Sequence, residues 1–369
     1  MNRRDFIKYG MIFAGVGGVC LFGKNGSFVV KNIGEANHIS DNRPCKIPFE
    51  SLEIYPDGDV YSCCNEFLKY KTPAGNIEKQ SFDAIWNGKL YTDLRQRVLK
   101  GDYSKCNRDI CTAYIPYSDE KEIPSDYKNG PKILKIGYDS ECNYNCITCR
   151  DKIITNNPEK QAMYENVYLP KILEIAGSID VLLLSVSGDP LFSRHLRHLM
   201  REVIKKNPKI KIVLYTNGFF LDEKNLTELG IQNNIQGVLV SVDTVNRETY
   251  KQILRTDAFD RVMKNIELMS EWRKQGKIKW ITMNFVVHLM NYKEMPDFVK
   301  MAQKLDIMAF FSTYQPWISA EYHKRYDEVA VFEPKNKHYK ELVEILHNPV
   351  FKDKEHCSME QRLFDIVNS

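Results

Sequence analysis

The chain of 369 residues is 43% hydrophobic and 27% charged, the balance of an ordinary globular protein, long enough for two domains or for one large barrel with an appendage. Lys and Arg exceed Asp and Glu by only 52 to 48, and no block of like charge occurs, which argues against a nucleic-acid binder. The ten cysteines are the unusual feature: Cys45, Cys63, Cys64, Cys106 and Cys111 share one segment, Cys142, Cys146 and Cys149 another, and Cys20 and Cys357 stand alone. A chain with this much apolar periodicity folds without a disulfide scaffold, so the clusters direct attention to metal.

Residues 1–40 form a leader with a basic start and an apolar run too short and glycine-rich for a comfortable membrane span. Arg3, Arg4, Asp5, Phe6, Ile7 and Lys8 resemble a twin-arginine export signal, although no A-x-A cleavage site follows. A disordered or membrane-touching tail is the alternative, and on either reading the leader stays outside the fold.

Residues 41–125 predict a small cysteine-rich α+β unit. Leu52 and Ile54, then Val60 and Tyr61, flank Pro56-Asp57-Gly58-Asp59 as two short strands about a tight turn, which would bring Cys45 towards Cys63. Gly75-Asn76 reads as a further turn. The run SFDAIWNGKLYTDLRQRVLKGDY reads as a helix leading to Cys106 and Cys111.

From Pro131 strands and helices alternate. KILKIGYDS, DVLLLSVSG, IKIVLYTNG, GVLVSVDT, WITMNFVV and DIMAFFST read as buried strands, with helices over about 158–177, 192–207, 222–230, 246–275 and 293–305 between them. Six such units over residues 131–315 imply a parallel sheet, either doubly wound or curled into a partial (β/α)6 TIM-like barrel, with chemistry at the C-terminal strand ends. Residues 316–369 read as a helical extension that carries Cys357 in KEHCSME.

The first strand runs into ECNYNCITCR, which holds Cys142, Cys146 and Cys149. A structural zinc takes four protein ligands, and the nearest histidines, His195 and His198, lie on a helix after the second strand. An iron-sulfur cube held by three thiolates keeps one iron open to another ligand.

The Cys142-x3-Cys146-x2-Cys149 spacing is followed at successive strand ends by Ser187-Gly188-Asp189-Pro190, Thr216-Asn217-Gly218 and Ser241-Val242-Asp243, with Arg255 beyond. In that order, over roughly residues 131–313, these segments resemble the radical S-adenosylmethionine (radical SAM) enzymes. Taken singly, the cysteines would fit zinc or chance, and TNG or SVD would be ordinary turns and helix caps. The resemblance implies that Cys142, Cys146 and Cys149 hold a 4Fe-4S cluster. It implies that the backbone of Ser187, Gly188, Asp189 and Pro190 holds the cofactor's amino group, that Ser241 and Arg255 hold its carboxylate, and that Asn217 and Asp243 belong to the same cofactor-binding set. Two positions depart from the family pattern: Thr148 stands where an aromatic residue is common, and Asp189 where a glutamate is usual.

Cys45 through Gly58 to Cys63, then GNI, SFDAIWNG and a closing cysteine pair resemble the auxiliary-cluster domain called SPASM, or its shorter twitch form, here placed ahead of the barrel. The resemblance implies a second 4Fe-4S cluster on Cys45, Cys63, Cys106 and Cys111, with Cys64 as the alternative to Cys63. A structural zinc knuckle on the same thiols is the rival. Cys357 is a candidate hydrogen-atom donor, against the plainer role of a small buried residue.

The implied activity is reductive cleavage of S-adenosylmethionine to a 5′-deoxyadenosyl radical, followed by hydrogen abstraction from a peptide or protein side chain in a maturase-type modification. Epimerisation or dehydrogenation of a sugar or other small metabolite is the second reading. An iron-sulfur electron carrier or redox sensor is the third. A reducing partner such as flavodoxin or ferredoxin is implied. Because these supplies are cytoplasmic, the expected location is the cytoplasmic side, with a tether through the leader compatible and export left open.

Overall fold

The computed structural model describes residues 45–63, 68–69, 72–106, 123, 125–184, 187–315 and 320–367; the leader, Cys20, Cys64 and Cys111 lie outside the described residues. Six strands form the heart of the fold: β4 (Ile133–Ile136), β5 (Val181–Leu184), β6 (Lys211–Thr216), β7 (Ile235–Ser241), β8 (Trp280–Val287) and β9 (Met308–Thr313). Each pairs in parallel with the next. Their apolar runs suit a sheet covered on both faces.

The helices between the strands start where side chains cap them. Ser193, Asp222 and Asn246 accept backbone N–H bonds at the starts of helices Arg194–Lys206, Glu223–Leu229 and Arg247–Leu254. The expected helix over 246–275 divides, because Arg255 adopts a left-handed conformation with φ 54° and the next helix begins at Phe259. The run from Ser81 likewise divides into helices Phe82–Trp86 and Lys89–Leu99, with Gly88 at the N-cap of the second. The segment predicted over 158–177 instead carries a π-helical turn, Tyr164–Tyr168, between Pro158–Met163 and Leu169–Ile175.

The sheet does not stop at six strands. β1 (Ser51–Ile54) lies parallel to β4 with Glu53 opposite Lys135, and β2 (Asp59–Tyr61) returns antiparallel to β1. Gly75–Asn76 is not the expected turn but a two-residue strand, β3, paired with β2. Asn76 Nδ2 holds it there by donating to Asp57 O at 2.7 Å and to Asp59 Oδ1 at 2.9 Å. At the other edge β10 (Cys357–Met359) lies parallel to β9, within a segment read from sequence as helical. The extension is otherwise helical, at Ala320–Lys324, Tyr326–Val329, Tyr339–Leu346 and Gln361–Val367. The result is one continuous sheet in the order β10-β9-β8-β7-β6-β5-β4-β1-β2-β3.

Alternation along the strands separates two faces. Leu134, Leu182, Ile212, Val240, Met283 and Phe311 share the large core with helix residues such as Leu196, Ile253 and Phe298. Val181, Leu183, Val213, Leu239, Trp280, Met308 and Phe310 form a second cluster with no helix residue in it, which marks the concave, lumen side. A Cβ on Gly237 would lie 2.0 Å from the Trp280 ring, so glycine there lets the indole rest against the β7 backbone. Among the described residues no helix is long and apolar enough to cross a membrane.

Candidate cluster and cofactor site

The cysteine loop leaves β4 at its C-terminal end and is tied down on several sides. Cys142 N donates to Ile154 O at 3.0 Å, Ile147 N to Ile253 O at 2.9 Å, and Cys149 N and Arg150 N both donate to Cys146 O at 3.0 Å. Those last two bonds make a tight turn between the second and third thiols. Tyr144 N and Asn217 Nδ2 point at Cys142 Sγ from 3.4 and 3.7 Å, and Arg150 Nε lies 3.3 Å from Cys149 Sγ. Three thiols on one loop with N–H groups turned towards sulfur form a donor set suited to a thiolate-held iron-sulfur cluster. Among the described residues no three His, Cys, Asp or Glu side chains converge on one metal ion, whereas the thiolates of a cube bind separate irons.

Burial pushes the Cys142 thiol up to about 11, with the Asp189 carboxylate adding to the shift. Cys146 is pushed up as well, by burial and then by Cys149 and Cys142. Without metal these two thiols therefore hold their protons at neutral pH, and iron must displace them. Raised values bind protons more tightly in the folded state, so apo stability is complete below the ordinary thiol range and falls as pH rises from 9.0 towards about 11. The expected result is a thermal midpoint that drops more steeply over this window in chelator-treated protein than in iron-loaded protein, where the buried Cys357 thiol and buried tyrosines such as Tyr164 and Tyr250 still contribute a shallower fall. A parallel drop in both would contradict it.

Two acids that sequence reasoning passed over hold the loop in place. Asp139 Oδ1 accepts from Glu141 N at 3.0 Å and Asn156 Nδ2 at 2.9 Å, and its Oδ2 accepts from Ser193 Oγ at 2.5 Å. Glu141 accepts from Asn156 N at 2.7 Å and Arg194 N at 3.1 Å. The only sequence signal was a pair of acids just before the first cysteine, in YDSEC.

At the second strand end, Ser187 Oγ donates to Gly137 O at 2.7 Å, and Arg150 Nη2 donates to Ser187 O. A Cβ on Gly188 would lie 2.6 Å from both Asp139 O and Glu141 O, so this position admits only glycine beside the cysteine loop. Asp189 is 1% exposed and, with Pro190, buried. Its Oδ1 accepts from Leu191 N at 3.0 Å and Phe192 N at 3.1 Å; its Oδ2 accepts from Thr216 Oγ1 at 2.7 Å and Asn217 N at 2.8 Å. Its side chain thus fastens the second strand end to the third. Burial raises its carboxyl even against these bonds.

Asn217 Nδ2 also donates to Asn143 Oδ1 at 2.9 Å. Ser241 ends β7 opposite Asn284. Asp243 has φ 65°, accepts from Val286 N at 2.8 Å, and is pushed by burial up to about 7. Its charge adds to the upward push on the Cys146 thiol. Arg255 is exposed at a helix end and makes no side-chain hydrogen bond among the described residues.

Cys357 stands elsewhere. It pairs with Ala309 on the helix-facing side of the sheet, within the large core, while the adjacent Ser358 faces the lumen. Burial pushes its thiol far up. A thiol packed behind the sheet has no access to a radical formed at the strand ends, so the hydrogen-donor expectation is not retained.

In the N-terminal unit Tyr103 joins two of the expected auxiliary ligands. Its hydroxyl accepts from Cys45 N at 3.1 Å, and its carbonyl accepts from Cys106 N at 2.9 Å. Cys63 follows β2. Arg95 braces this unit: it donates to Pro48 O and Trp86 O at 2.8 Å and stacks 4.2 Å from the Trp86 ring centre.

Residues 140–302 match the radical SAM superfamily, and residues 45–112 match the iron-sulfur cluster-binding SPASM domain. The chain therefore carries a radical SAM domain with a SPASM domain ahead of it. These domains imply a SAM-binding 4Fe-4S cluster and an auxiliary iron-sulfur cluster. GTP 3′,8-cyclase of Synechocystis sp. is 27% identical over 200 residues, 54% of this chain and 58% of that protein. Molybdenum cofactor biosynthesis protein moc-5 of Caenorhabditis elegans is 26% identical over 194 residues, 51% of this chain and 31% of that protein. The chain thus covers less than two thirds of either relative. Streptococcus suis SuiB, solved with its precursor peptide SuiA, matches with a TM-score of 0.41 and 13% identity over 73% of this chain and 61% of that one.

Proposed function

We propose that this radical SAM enzyme cleaves S-adenosylmethionine at the Cys142, Cys146 and Cys149 loop and removes a hydrogen atom from a small polar substrate in the lumen. The observation that supports it is the placement of three thiols on one short loop with N–H groups from Tyr144, Arg150 and Asn217 directed at two of the sulfurs. When bound, cluster and cofactor together supply the 5′-deoxyadenosyl radical that takes the hydrogen atom.

The chain's own residues position and shield. Cys142, Cys146 and Cys149 would hold the cluster through three thiolates, so that a further ligand could be the cofactor. Gly188 allows its own segment to approach the cysteine loop, and Asp189 holds Asn217 near Cys142. Ser241 stands at the next strand end as the candidate for the cofactor's carboxylate, with Asp243 two residues beyond it held by Val286 N. Cys45, Cys63, Cys106 and Cys111 are the proposed ligands of the auxiliary cluster, with Cys64 as the alternative to Cys63.

A small molecule is preferred to a peptide side chain because the lumen is lined by buried, unpartnered polar groups, Ser312 and Ser358 among them. The test of the site is electron paramagnetic resonance of the reconstituted, dithionite-reduced protein. Added S-adenosylmethionine should shift part of the signal, as an open iron gains ligands. A signal that does not respond would remove the basis for the assignment.

A further inference from the structure

The two faces of the sheet differ in kind. On the helix side β1, β8, β9 and β10 present Leu52, Ile54, Met283, Phe285, Phe311 and Met359. On the lumen side the same four strands present Ser51, Glu53, Thr282, Asn284, Ser312 and Ser358, each at most 2% exposed. Every one of the six has a side-chain oxygen without a hydrogen-bond partner among the described residues. Such groups cost their full desolvation, whereas valine or alanine would fill the same space without loss.

Their placement is ordered. Asn284, Phe310 and Ser358 are register partners across β8, β9 and β10, with Thr282 two residues before Asn284 and Ser312 two after Phe310. Asn284 is also the partner of Ser241, at the strand end proposed for the cofactor. On the opposite edge of the parallel sheet, Glu53 Oε2 lies 3.9 Å from Lys135 Nζ, too far for a hydrogen bond, and Tyr55 is the other polar side chain acting on its carboxylate. β1 and β10 are additions outside the six-stranded heart, so both flanks add polar groups to one lumen.

We infer that this lumen binds a small, hydroxyl-rich molecule, such as a sugar or cyclitol, between Glu53 and Lys135 on one flank and the Asn284, Ser312 and Ser358 row on the other. The inference rests on the radical reading of the strand-end site. Serine and threonine hydroxyls both donate and accept, Glu53 and Asn284 Oδ1 accept, and Lys135 donates, which matches a ring of hydroxyls. Leu183, Trp280 and Phe310 offer the apolar wall that the C–H face of such a ring requires.

The test uses the full-length, reconstituted, reduced protein and the sub-1-kDa fraction of a cytosolic extract of the source organism. The fraction is added intact, after quenched periodate treatment to cleave vicinal diols, or after protease digestion and filtration, with S-adenosylmethionine supplied afterwards. The intact and protease-treated fractions should stimulate 5′-deoxyadenosine release and the periodate-treated one should not. In Ser312→Ala/Ser358→Ala protein with full iron content, half-stimulation should need about tenfold more fraction, the loss expected from one or two hydrogen bonds. Stimulation destroyed by protease, insensitive to periodate, or absent over an existing basal release would overturn the inference. Complete absence of release under every condition would count against the radical reading itself.

Discussion

Replacing Cys142, Cys146 and Cys149 together with alanine abolishes 5′-deoxyadenosine release and lowers the iron bound on reconstitution to roughly half, as expected when one of two 4Fe-4S clusters is lost. The remaining iron belongs to the auxiliary site, whose proposed ligands lie on the N-terminal unit. The outcome is specific because the loop's structural anchors are main-chain bonds that alanine preserves, such as Cys142 N to Ile154 O and Cys149 N to Cys146 O. Iron content and the amplitude of the reduced-cluster resonance read the result. Loss of all iron, with the fold intact by circular dichroism, would show that the loop does not hold a separate cluster.

Asp189→Ala has the largest expected effect on stability. The change removes the acceptor of four bonds at a site with 1% exposure and leaves Thr216 Oγ1 and the N–H groups of Leu191, Phe192 and Asn217 without their partner. Unmade buried bonds of this kind cost about 1–3 kcal/mol each and do not add fully, so a loss of about 3 kcal/mol or more is expected in chemical unfolding. Asp189→Asn recovers only part of it. Its NH2 group can still pair with the Thr216 hydroxyl, which can turn to accept, but opposes the fixed Asn217 N–H. Because Asn217 Nδ2 reaches Cys142 Sγ, the asparagine variant should also alter the cluster resonance. Unchanged stability in both variants would remove Asp189 from this bracing role.

Legibility from sequence tracked how local each feature is. The six strands of the heart were visible because each is an apolar run closed by a turn signal, and the strand-end segments kept their order along the chain. The three-cysteine loop was visible for the same reason: its spacing spans only eight positions. β10 was not visible, because three residues are too few to show alternation and its pairing with β9 is made across nearly fifty positions. Gly75-Asn76 carried the composition of a turn, yet side-chain bonds from Asn76 to the β1–β2 connection set it as a strand. The pairing of β1 with β4, which merges the N-terminal unit into the barrel sheet, is also long-range. Cys357 was singled out by residue type alone, and only the parity of β10 shows that it faces away from the lumen. Asp189 was visible as a departure from a family pattern; its four partners, drawn from two strand ends, were not.

The most direct measurement is 5′-deoxyadenosine release by the anaerobically reconstituted protein, supplied with dithionite and S-adenosylmethionine. The account predicts release that requires both reagents and is lost on replacing Cys142, Cys146 and Cys149. No release from protein carrying its full complement of iron and sulfide, together with no binding of S-adenosylmethionine, would contradict it.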